Sequence, residues 1–140
     1  MKNLITRRQR MLRTRDVQHK QALAEAARAR DAAQALEGNA ERLRKVRAEL
    51  FESESLTNGA SFAGYRELAM RLETAGRQLD GAIYDARLKI DEKEGLRIAA
   101  NREREIAERL KDRAIAALET YREMRLQATP RTVRKSMKGI

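Results

Sequence analysis

The sequence predicts an all-α fold: a long two-helix antiparallel coiled-coil hairpin with a short disordered basic C-terminal tail. Three observations lead there. Charged residues make up 37% of the 140 residues and aromatics only 4%, with no Trp, so bulky apolar surface is too scarce for an ordinary globular core. Much of the hydrophobic fraction is Ala, in a mixture with Glu, Lys, Leu and Arg that suits long helices hiding a narrow seam. Apolar residues recur at alternating spacings of three and four on both sides of one turn-like break.

The first helix is expected over about residues 3–53. Its seam reads Ile5, Arg8, Leu12, Arg15, His19, Ala22, Ala26, Ala29, Ala33, Leu36, Ala40, Leu43, Arg47 and Leu50, and is weakest at the basic N-terminal end. A turn follows over 54–60, where Asn58-Gly59 suits positive φ and Ser61 is placed to cap the next helix. The second helix is expected over 61–127. Its seam runs Tyr65, Leu68, Leu72, Ala75, Leu79, Ala82, Ala86 and on through Lys89, Lys93, Leu96, Ala100, Glu103, Ala107, Leu110, Ala114 and Ala117 to Tyr121 and Met124. Fifteen of those eighteen positions are apolar. Thr129-Pro130 is expected to end it, because Pro lacks the N–H and restricts the residue before it. The hairpin thus occupies residues 1–128 and the basic tail 129–140.

Folding at the turn pairs Leu50 with Tyr65, Leu43 with Leu72 and Leu36 with Leu79, alternating with Ala layers that allow close approach. Where Lys89 and Lys93 interrupt the seam, the stripe is expected to drift onto Leu23, Ile83 and Ile90. The second helix is expected to project past the first, which brings both termini to one end.

Charge marks that end. Residues 1–20 hold seven basic side chains against Asp16, a net +6, and residues 129–140 hold four basic side chains, a net +4. The other residues hold twenty of each sign, so the termini carry the whole net charge of +10. The basic end is expected to meet a protein partner through Arg7, Arg8, Arg10, Arg13 and Arg15, together with Arg131, Arg134 and Lys135. Nucleic-acid binding through the same arginines is the competing reading, and no nucleic-acid partner is expected because no aromatic interleaves them and no recognition motif is present. Near the turn, Tyr65, Leu68, Leu72 and Ala75 form a stripe that can pack in the seam or, with Ala69, Leu56 and Phe62, offer a small apolar landing site.

Catalysis is not expected. His19 is the only histidine and sits at a seam position, there is no Cys, and the carboxylates have basic neighbours three or four residues away. No cofactor and no metal are expected, and no signal peptide or membrane span is recognisable. A cytoplasmic location follows as an expectation.

The chain as a whole resembles the FliJ family of flagellar type III export proteins, related to the stalk proteins of injectisomes. The likeness rests on length, a basic first helix opening with Arg7-Arg8, the short turn, and the stretch Tyr65-Arg-Glu-Leu68-Ala-Met-Arg-Leu72-Glu-Thr-Ala75 after it. That stretch is similar to the family's Tyr-x-x-(Phe/Leu)-x-x-x-Leu-x-x-Ala pattern, and a basic tail after Pro130 completes the match. The resemblance implies a non-catalytic stalk, like the central coiled coil of the rotary ATP synthase gamma subunit. Its partners would be the hexameric export ATPase, the membrane-embedded export gate and export chaperones. It would associate peripherally with the cytoplasmic face of the inner membrane through those proteins. Carried over, gate contact would fall on Leu68, Leu72 and Ala75, with Tyr65 beside them and with Leu43 and Val46 facing; Glu49 and Ser53 depart from the aromatics the family's facing helix offers. The alternatives are a generic coiled-coil adaptor and a basic nucleic-acid-binding helical protein.

Overall fold

An Ala-rich chain with one break buries what it can by laying one helix against the other. The computed structural model describes the backbone of residues 1–52 and 59–138 and the side chains of residues 1–52 and 62–128. Two α-helices account for the fold: α1, Lys2–Glu52, and α2, Gly59–Lys138. No strand occurs among the described residues. At the start of α1 the carbonyl of Met1 accepts from the N–H groups of Leu4 and Ile5 at 3.1 and 3.2 Å.

The element ends differ from expectation in two places. α2 begins at Gly59, so Ser61 lies inside its first turn rather than capping it, while most of the expected turn falls outside the described residues. At the other end α2 runs through Pro130 to Lys138, beyond the helix end expected at 127. A proline removes one N–H donor and crowds the carbonyl four residues back, which can bend a helix without terminating it.

The two helices divide into two compact units. The first joins Met1–Gln21 to Arg97–Ile140, and the second is Ala22–Leu96. Within each, α1 and α2 run antiparallel: Asp16 lies across from Arg104 in the first unit, and Glu37 from Arg87 in the second.

Burial follows the expected frame on α1. All fourteen expected seam positions from Ile5 to Leu50 are buried or half-buried, and the deepest are alanines: Ala26, Ala29, Ala33 and Ala40. On α2 one half of the frame holds, with Tyr65, Leu72, Leu79, Ala86, Lys93, Ala100, Ala107 and Ala114 all turned inward. The other half moves on by one residue, to Ala69, Gly76, Ile83, Ile90, Arg97, Arg104, Lys111 and Leu118. Leu68, Lys89, Leu96, Glu103 and Ala117 are exposed instead, although Ala75, Ala82 and Leu110 remain half-buried at the seam's margin. Packing explains the choice: the shifted stripe buries Ile83 and half-buries Ile90, while leaving the ammonium of Lys89 in water. The drift onto Ile83 and Ile90 was expected; Leu23 stays 42% exposed.

Leu43 lies beside Gly76, one helical turn along α2 from its expected partner Leu72: a Cβ added to Gly76 would lie 3.7 Å from Cδ2 of Leu43 and 3.8 Å from Nη1 of Arg47. Phe51 meets Tyr65 edge-on, with ring centroids 6.3 Å apart. Around the seam, exposed ion pairs such as Arg71 with Glu67 at 2.8 Å and Arg77 with Glu73 at 2.9 Å support α2 locally. Pairs of this kind contribute about 0.2–0.5 kcal/mol each.

Candidate functional site

The helix-forming residues of the first unit bring a dense set of cations together. Counting its residues, 1–21 and 97–140, gives nineteen basic and seven acidic side chains, a net +12; the second unit, 22–96, has twelve and fourteen, a net −2. The division by packing therefore separates charge more sharply than the termini alone do.

The five candidate arginines of α1 divide by helix face. Arg7, Arg10 and Arg13 are exposed, whereas Arg8 and Arg15 are half-buried in the seam. Arg15 is already engaged: its Nη1 donates to Oε1 of Gln18 at 3.0 Å, and its Nη2 lies 3.7 Å from Oε2 of Glu103. Across from them, Arg97, Arg104 and Lys111 recur every seven residues on α2, and all three are half-buried. Arg104 donates from Nε and Nη2 to Oδ1 of Asn101 at 3.3 and 3.0 Å, and lies 4.0 Å from Oδ1 of Asp16. These α2 cations were not among the expected site residues. Their seven-residue spacing was visible, but a frame chosen by counting apolar positions passed through Leu96, Glu103 and Leu110 instead. Arg131, Arg134 and Lys135 belong to the last part of α2, and their side chains lie outside the described residues.

The arrangement suits a partner surface with acidic or polar walls, since long cationic side chains lay their stems along the seam and hold their charged heads at its rim. Past Leu118 the described side chains of α2, Glu119–Ala128, are all exposed, including Tyr121, Met124 and Leu126.

Near the other end of α1 the six candidate gate residues also separate. Leu43, Tyr65, Leu72 and Ala75 are half-buried as seam or seam-margin residues, while Val46 and Leu68 are 48% and 44% exposed. Phe62 and Met70 add exposed apolar surface there. Leu56 lies outside the described residues.

His19 is half-buried at its seam position, and no cluster of side chains able to hold a metal ion occurs among the described residues. No helix among them is long and apolar enough to cross a membrane. Set against known proteins, the chain matches no family model, no curated protein and no solved structure.

Proposed function

We propose that this chain is a non-catalytic stalk and adaptor of the flagellar type III protein export apparatus. In this reading the end bearing both termini binds the hexameric export ATPase. The region near the turn meets the export gate, and the chain escorts export chaperones at the cytoplasmic face of the inner membrane. One observation carries it: the unit holding both terminal segments has a net charge of +12, and the other unit has −2. A stalk that enters a ring needs one end with a distinct electrostatic identity, and a field of this sign steers it toward an acidic opening.

The test is co-purification with a hexameric export ATPase, comparing the wild type with a variant in which Arg7, Arg8, Arg10 and Arg13 are all changed to Glu. Wild-type protein is expected to bind, and the variant to lose binding by tenfold or more (about 1.4 kcal/mol). An ATPase that retains both equally would sink the basic-end model. The same charge supports a second reading, binding to nucleic acid. That reading requires affinity for duplex DNA that falls linearly in log–log terms with salt, at a slope of roughly one per phosphate neutralised.

A further inference from the structure

The two edges of the seam in the second unit have different chemistry. One is laced with charge: Arg30 pairs with Glu94, and Nη2 of Arg87 lies 3.3 Å from Oε1 of Glu37. Helical periodicity places Val46 and Leu68 on the opposite edge, Val46 nearest Ala75 and Leu68 about five residues further along, roughly 7.5 Å, and Glu25 and Lys89 line one recess on the same edge. Val46 and Leu68 stand out from that edge, about half exposed. At its far end lies an open recess of about 370 Å³, floored by Ala29, Ala32 and Ala86 and rimmed by Arg28, Lys89 and Lys93. Lys93 is held there by Glu25 at 3.1 Å. Between Val46 and Leu68 and the recess the edge is lined by Ala75 and Ala82 of α2 and by Asn39 of α1, whose Oδ1 accepts from Nη1 of Arg42 at 3.4 Å.

We propose that this edge pairs with the same edge of a second copy of the chain, antiparallel and related by a two-fold axis. Three features argue for a second copy over another occupant. The edge is self-complementary, because a two-fold axis midway along it seats the Val46–Leu68 pair of each copy over the Ala-floored recess of the other. Such an isologous contact is made twice. Val46 and Ala29 are seventeen residues apart, about 26 Å along a helix, which leaves Asn39, Ala75 and Ala82 to meet their counterparts near the axis. The unit is close to neutral at −2, so two copies approach without the repulsion that a +12 unit would meet. Finally, Glu49 lies one turn beyond Val46 on the same flank, and the same two-fold axis carries it toward Arg28 on the recess rim of the other copy. A contact of this length buries on the order of 1,000 Å², the low end for specific interfaces, and so forms a weak, reversible dimer.

Sedimentation velocity of the full chain tests this, over about 5 to 500 µM in about 0.3 M salt to screen the basic unit. A monomer–dimer equilibrium is expected, weakened about tenfold or more by Leu68→Glu with helicity by circular dichroism unchanged. Arg28→Glu and Glu49→Arg should each weaken it, and combining them should restore it. A monomer at every concentration overturns the proposal and leaves the edge to a helix of another protein. A dimer indifferent to Leu68→Glu, or a charge swap that restores nothing, overturns it equally. Neither outcome bears on ATPase binding.

Discussion

Gly76 shows how much one residue decides in a seam this thin. It is half-buried opposite Leu43, and a methyl group there would meet Leu43 and Arg47 at ordinary contact distances of 3.7 and 3.8 Å. Nothing in its helical backbone requires glycine, so Gly76→Ala gains helix propensity and a contact without strain. The expected outcome is stabilisation by about 1 kcal/mol, read as a higher urea midpoint by circular dichroism. A lower midpoint would mean that the helices approach more closely at this layer than Leu43 allows. At the same scale, the arginines show what sequence can and cannot say. Their clustering was plain, but whether an arginine lies on the seam depends on its helix angle relative to the apolar stripe. That angle separates Arg8 and Arg15 from Arg7, Arg10 and Arg13.

For whole elements, legibility followed the uniqueness of the apolar pattern. On α1 the alanine stripe Ala22, Ala26, Ala29, Ala33 and Ala40 runs in line with Leu36, Leu43 and Leu50, and every expected seam position there is turned inward. On α2 two stripes compete, because apolar residues at Leu68, Leu96 and Leu110 reward one frame while Ile83, Ile90 and Leu118 reward another. Counting apolar residues cannot weigh them; packing against a small-residue face can. The Ala layers of α1 leave space for a β-branched side chain such as Ile83, which is 8% exposed. The register is weakly fixed for the same reason, since Ala layers alone look alike at every turn. The chain has no native cysteine to interfere, so cysteine pairs test the register directly. Under mild oxidation, Leu43→Cys with Gly76→Cys is expected to close a disulfide faster than Leu43→Cys with Leu72→Cys, because closure needs Cβ atoms within about 4.5 Å. Equal rates, or a faster second pair, would return the register to the one the sequence suggested.

At the scale of the whole molecule, charge and seam quality change together. The seam of the second unit is made largely of Ala, Leu and Ile, whereas that of the first includes Arg8, Arg15, His19, Arg97, Arg104 and Lys111. The carboxylates beside two of them are partly exposed: Glu103 lies 3.7 Å from Arg15, and Asp16 lies 4.0 Å from Arg104. Pairs so exposed contribute about 0–1 kcal/mol each, and the unit that holds them carries a net charge of +12. Added salt should then strengthen the first unit, because screening shortens the reach of repulsion among its like charges to about 3 Å at 1 M. Amide hydrogen exchange measures each unit separately. Between about 0.05 and 0.5 M salt, exchange over residues 1–21 and 97–118 is expected to slow several-fold, while residues 22–52 and 62–96 change little. If salt instead speeds exchange in the basic unit, its ion pairs outweigh its repulsion. The +12 end would then be a self-neutralised seam with little field left to offer an acidic partner.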